Sequence, residues 1–276
     1  MRTLNETLTR METQGGVGQS LRKHLSAVGV HDWEDITRGK LYDLKDHLAE
    51  TLAPNSQRTV MANIKALFNR YKDELELPSD YDKILVAKAV KPLKTYLAEE
   101  DLAKLEAYTP PTNKQKYIQN VFIICAFTGL RVSDALKLTM ENVVGDSLHY
   151  VSKKTKKVGA IPLKKGLAER IKWVSEHPEF RVTESGYNKQ LKVMCRRAGI
   201  TDEVMVYTRG VEKRGPKWKF VTSHTARIST ATCLDKRGVR IGDISQLLQH
   251  SSIQMTERYI IRDHVELSEK ALQFFA

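Results

Sequence analysis

Apolar side chains recur at helical spacing through residues 1–90. Ile36, Leu41, Leu44 and Leu48 predict a helix over 37–52, flanked by helices over 19–28, after the Gly15-Gly16 turn, and over 56–74, after Pro54. Together they predict a small helical bundle. Pro78 and Pro92 bracket a mixed stretch that reads as a linker. Beyond it, 98–108 predicts a helix ending at Pro110-Pro111. Residues 114–127 form another that is apolar on nearly every side (Val121, Phe122, Ile123, Ile124, Phe127), as a helix at a domain centre is. Gly129 suits the position just past its end. Leu148 to Val151 and Gly159 to Leu163 flank a polar turn and predict one hairpin; 204–207 and 218–221 predict a second. Helices are expected over 167–173, 188–198, 225–237, 242–248 and 252–259. The fold class is mainly α with small β-hairpins (α+β), in two domains, a helical one over 1–90 and a second over 91–276.

Composition narrows the class. At 41% hydrophobic and 28% charged, with 15 Gly and 8 Pro among 276 residues, the chain is globular rather than disordered or low-complexity. The early polar residues Asn5, Glu6, Thr7 and Thr9 do not read as a secretion signal, and no apolar run reaches the roughly 18 residues of a membrane span. A cytoplasmic protein with no membrane partner is expected. Cys125, Cys195 and Cys233 are far apart and predict buried thiols, not a disulfide framework or zinc site. The net charge of +12 is unevenly placed: residues 1–90 hold 13 basic and 13 acidic side chains, whereas residues 91–276 hold 32 and 20. That asymmetry points the second domain at a polyanion, DNA or RNA, against the plainer reading of a domain that merely runs basic.

Two groups near the C-terminus could carry chemistry. His224 and Arg227 lie three apart on one helix face, and Leu248 and His250 are followed nine residues later by Tyr259. Ser251 and Gln254 match a capping box that starts a helix leading to Tyr259. Two imidazoles, a guanidinium and a phenol delivered by neighbouring helices suit a phosphate. Singly, each residue reads equally as packing or capping. Upstream, Arg131 sits where the buried helix meets a new one that Ser133 can cap, with Asp134 either its salt-bridge partner or its orienter toward a bound phosphate.

In order and spacing, Gly129-Leu130-Arg131-x-Ser133-Asp134, a lysine eight residues before Pro162 of Ile161-Pro162-Leu163, His224-x-x-Arg227, Leu248-x-His250 and Tyr259 resemble the tyrosine recombinases of the phage integrase family. One position departs: Gln249 stands where the family usually has glycine, which bears on the local turn, the imidazole of His250 being kept. The resemblance implies a DNA strand transferase acting without metal or other cofactor. Tyr259 would attack a phosphodiester to give a 3′-phosphotyrosine. Arg131 and Arg227 would clamp non-bridging oxygens, His224 would help deprotonate the phenol, and His250 would donate to the phosphate. The family's general-acid lysine lies on the first hairpin, where counting back from Pro162 selects Lys154. Its neighbours Lys153, Lys156 and Lys157, with Lys217 and Lys219 near the second hairpin, then read as DNA backbone contacts. Residues 1–90 fit the family's core-type DNA-binding domain by architecture alone, and 91–276 its catalytic domain.

The implied partners are double-stranded DNA and three further copies, a homotetramer on two DNA sites; an accessory protein is unknown. Leu267, Ala271, Phe274 and Phe275 make an apolar stripe on a tail helix that such an assembly would hand to a neighbour, packing in cis being the alternative. Two other readings compete: a non-cleaving architectural or regulatory DNA-binding protein, and a relaxing enzyme of the topoisomerase IB type.

Overall fold

Local capping and apolar spacing explain where the elements begin and end in the computed structural model, which describes residues 2–152 and 156–262. The chain divides into two compact units, residues 1–92 together with 207–212, and the remainder from Leu93. The first holds α1 (Leu4–Gly15), α2 (Val17–Ala27), α3 (Arg38–Thr51), α4 (Pro54–Tyr71) and the short α5 (Tyr81–Ile84). Helix α1 escapes a periodicity reading because its apolar positions are sparse. It is started instead by a capping box, in which the Thr3 hydroxyl accepts from the Glu6 N–H and the Glu6 carboxylate from the Thr3 N–H. Leu21, Leu44, Leu48, Ile64 and Phe68, all fully buried, form the core of this unit.

The second unit is organised around one helix. After α6 (Glu99–Ala107), α7 (Asn113–Thr128) carries Val121, Phe122, Ile123, Ile124 and Cys125, each 0% exposed, and packs against α6, α9 (Leu167–Glu176), α10 (Glu184–Arg197) and α11 (Thr225–Lys236). Between α7 and α9 lie the short α8 (Val132–Ala135) and an antiparallel sheet of β1 (Val143–Val144), β2 (Ser147–Val151) and β3 (Val158–Pro162) in that order. The β2–β3 register pairs Ser147 with Pro162 and Val151 with Val158. A second sheet, β4 (Glu203–Thr208) and β5 (Val211–Pro216), precedes α11, and α12 (Ile241–Leu247) and α13 (Ile253–Glu257) complete the described chain.

Three local expectations are corrected. The second hairpin pairs 203–208 with 211–216, not with 218–221, because Arg209 and Gly210 adopt positive φ and turn the chain at once. The polar β5 gave no apolar alternation, and Trp218 sits in a 3₁₀ turn instead. The cap of α13 is Ser252, which accepts from the Met255 N–H, not Ser251. Helix α8 starts with Arg131 in the capping position and without a side-chain cap, so Ser133 lies inside it. The tail stripe at Leu267 to Phe275, Lys153 and Lys154 lie outside the described residues. Among those described, no helix is long and apolar enough to cross a membrane.

Gly129 ends α7 at φ +70°, and a Cβ there would stand 2.5 Å from Leu248 Cδ2. Gly129→Ala is therefore expected to destabilise the protein by about 1–3 kcal/mol through left-handed strain and overpacking. Urea unfolding measures this; an unchanged midpoint would contradict the packing described.

Candidate active site

The end of α7, the start of α11 and the end of α12 converge on one side chain. Arg227, 3% exposed, donates from Nη1 to the Gly129 carbonyl and from Nη2 to the Leu248 carbonyl. Among the described residues it has no carboxylate partner, and its buried Nε has no hydrogen-bond partner at all. Burial lowers its pKa to about 10, with the nearby Arg131 charge adding to the effect. Arg131, at the joint of α7 and α8, lines the same cleft of about 410 Å³ with Ser133, Arg181, His224 and Arg227. Asp134, weighed as its partner or orienter, is buried and accepts from Ser152 Oγ at 3.5 Å.

His224 immediately precedes α11 in a turn where the Thr222 N–H donates to Thr225 Oγ1 (2.9 Å), the Thr225 N–H to the Thr222 carbonyl (2.9 Å) and the Ser223 N–H to Asn188 Oδ1 on α10 (2.7 Å). Its ring meets that of Tyr259 edge-on at 5.0 Å, and the His250 ring lies 4.8 Å from Tyr259 on another side. The segment carrying Tyr259 is fixed to α11: Thr232 Oγ1 donates to the Tyr259 carbonyl (3.2 Å) and accepts from the Ile261 N–H (3.1 Å). His250 is 6% exposed; its Nδ1 bonds Thr256 Oγ1 at 2.9 Å, and its buried Nε2 has no partner.

Desolvation and uncompensated positive charge dominate the electrostatics. Burial lowers the pKa of His224 to about 4, helped by Lys94, Arg227 and Arg131; burial lowers His250 likewise to about 4, helped by Arg227, Arg131 and His224. His224 is more solvent-exposed than His250, so solvent screens more of its share. Both imidazoles are thus neutral at pH 7, able to accept a proton or to donate a single N–H. Lys94, its pKa lowered by burial, places Nζ 6.0 Å from the Tyr259 ring centroid, and Arg227 Cζ lies 5.6 Å from it.

The structure thus brings together Arg131, His224, Arg227, His250 and Tyr259 of the residues singled out in the sequence. Lys156, Lys157 and Lys219 are solvent-exposed. Lys217 directs its ammonium at Asp101 (2.6 Å) and Asp202 (3.0 Å). Sequence reasoning missed Lys94, Thr232 and Thr256. Lys94 belongs to no motif; it reaches the site because the Leu97 N–H docks on Ser229 Oγ of α11 at 2.9 Å. Thr256 stands six residues after His250, a spacing that carries no signal by itself. Among the described residues no three His, Cys, Asp or Glu side chains are grouped to hold a metal.

Comparison with known proteins places the chain. Over 210 residues the chain is 27% identical to the tyrosine recombinase XerA of Thermococcus kodakarensis, covering 74% of this chain and 71% of that protein. Its fold is similar to that of XerH site-specific recombinase bound to palindromic difH substrate in a post-cleavage complex (TM-score 0.67, 16% identity, 99% of this chain and 84% of that one). It is also similar to a lambda integrase tetramer bound to a Holliday junction (TM-score 0.66, 16% identity, 95% and 79%). Residues 95–265, which span all five gathered side chains, match the model of the phage integrase family, and the chain belongs to that family.

Proposed function

We propose that this protein is a site-specific DNA recombinase that cuts and rejoins strands through a 3′-phosphotyrosine at Tyr259. One observation carries the reading: two buried nitrogens without a partner among the described residues, Arg227 Nε and His250 Nε2, lie beside one phenol where the charges of Arg131, Arg227 and Lys94 gather. Burying cations without anions is unfavourable, and a phosphodiester supplies the missing charge and acceptors together. Family membership and the basic second half of the chain support DNA as its source.

In this mechanism the Tyr259 oxygen bonds to phosphorus and the bond from phosphorus to the 5′-oxygen breaks. The phenol proton passes to neutral His224, and Lys154 protonates the departing oxygen. Arg131 and Arg227 hold the non-bridging oxygens as charge builds in the pentavalent transition state. If the Thr256 hydroxyl donates to Nδ1 of His250, the ring proton stays on Nε2, the donor that a phosphate oxygen meets. A 5′-hydroxyl from a partner strand then attacks the phosphotyrosine and releases the phenol. One phosphodiester replaces another, so no energy source enters. Because Tyr259 is anchored through Thr232 beside Arg227, it acts on the phosphate bound by its own chain. Residues 1–90 serve as the core-type DNA-binding domain and 91–276 as the catalytic domain. Lys153, Lys156, Lys157 and Lys219 contact the DNA backbone, and a homotetramer on two sites joins the strands; the similar lambda integrase is a tetramer bound to a Holliday junction.

Tyr259→Phe is expected to bind DNA with near-parental affinity and to form no covalent adduct on denaturing gels; an adduct from this variant would remove Tyr259 from the role of nucleophile.

The second expectation concerns acid. Folded His250 titrates near 4 against 6.5 unperturbed, so between these values the unfolded chain holds more protons. Its contribution is fully present above pH 6.5 and is lost as pH falls toward 4, up to about 3 kcal/mol. Urea unfolding at pH 7 and 4.5 should therefore show His250→Gln losing less stability on acidification than the parent. Equal losses would mean that His250 is not held neutral by its surroundings.

A further inference from the structure

Residues 94–99 run alongside α11, on the face formed by Ser229, Cys233 and Arg237, four positions apart. Ser229 Oγ accepts from the Leu97 N–H (2.9 Å), the Cys233 thiol donates to the Leu97 carbonyl (3.7 Å), and the Glu99 carboxylate takes two bonds from Arg237 (2.6 and 2.7 Å). Lys236 adds a cation 5.8 Å from the Tyr96 ring centroid. Leu97 and Ser229 are fully buried, so the docking point is packed. The pairings advance in the same direction along both segments, which brings Lys94, three residues before Leu97, level with the start of α11, where His224 stands. There its Nζ lies 6.0 Å from the Tyr259 ring centroid, and His224 meets the same ring at 5.0 Å.

Charge surrounds His224. After burial, Lys94 is the first cause of its lowered pKa, ahead of Arg227 and Arg131. Arg181 and Glu184 face it from the start of α10, and His250 and Tyr259 complete its surroundings. Arg131, Arg181 and Arg227 line the cleft, so a phosphodiester seated there offsets their charge and eases protonation of His224 just when it has to take a proton. Lys94 lies outside the cleft, and among the described residues no carboxylate pairs with it; burial is the one cause acting on its own pKa. Its charge therefore persists when the cleft is filled.

We propose that Lys94 is a positioning residue: its ammonium, docked along α11 beside the Tyr259 ring, keeps His224 an unprotonated acceptor for the phenol proton while DNA is bound. This inference rests on the reading of the protein as a recombinase in which His224 takes that proton.

The test uses the full chain. Lys94→Met keeps an unbranched side chain of similar length without its charge, and Lys94→Arg keeps the charge. Imidazole titration by NMR, with the His224 resonance identified by its loss in His224→Asn, should place the His224 pKa about 0.5–1 unit higher in Lys94→Met than in the parent. Losing a cation makes protonation easier, so the shift is upward; Lys94→Arg should stay close to the parent. Cleavage is then followed against pH on a DNA fragment carrying the site, located beforehand by mapping covalent protein–DNA junctions. The acid limb of kcat should move to higher pH by a similar interval in Lys94→Met and not in Lys94→Arg. An unchanged His224 titration in Lys94→Met overturns the inference, whatever the loss of cleavage, because Lys94 would then be packing or holding a DNA phosphate. If the titration moves and the acid limb does not, Lys94 still governs His224, and the assignment of His224 as proton acceptor is what fails.

Discussion

The guanidinium of Arg227, buried and bonded to the carbonyls of Gly129 and Leu248, is the interaction on which the second unit depends. It staples three helix ends, those of α7, α11 and α12, at the point where Arg131, His250 and Tyr259 emerge. A carboxylate would satisfy the charge more completely and would leave nothing for a ligand. Carbonyl acceptors fix the guanidinium's position while leaving most of its charge unneutralised, and the orphaned Nε keeps one donor for an incoming oxygen. Burial, helped by the same charge, keeps both imidazoles neutral, which is the state that acid–base work on a phenol needs.

Rigidity around that staple comes from ordinary packing. Helix α7 is fully buried through Val121 to Cys125, so its C-terminal carbonyl has little freedom, and Thr232 bonds the Tyr259 segment back to α11 on both sides. Arg131, Arg227, Tyr259 and the two imidazoles therefore sit on elements tied together through α11. The first hairpin meets this frame through Ser152 with Asp134 and Lys157 with Gln249.

Much of this was legible in the sequence, for definable reasons. Helix α7 announced itself because a helix apolar on all sides has one place to go, and Gly129 marked its end. His224 and Arg227 were readable together because helical spacing puts them on one face. What stayed hidden depended on contacts between distant segments. Lys94 carries no local signal; Lys217 resembled every other exposed lysine until Asp101, 116 positions away, was placed beside it. Strand β5 is polar and exposed, so alternation could not reveal it, whereas the turn at Arg209 and Gly210 depends on backbone conformation. At Gln249 the departure from glycine was visible, but its consequence lay in the opposite hairpin.

The central claim is that Arg227 faces the non-bridging charge of a DNA phosphate. Its most direct test compares cleavage of an ordinary phosphodiester with that of a methylphosphonate, in which one charged oxygen is replaced by a neutral methyl group. The account predicts that Arg227→Ala loses about 100- to 1,000-fold or more on the phosphodiester and regains most of that loss on the methylphosphonate, where there is less charge to stabilise. Equal inactivity on both substrates, in a variant that still folds, would contradict it and leave Arg227 a structural staple alone.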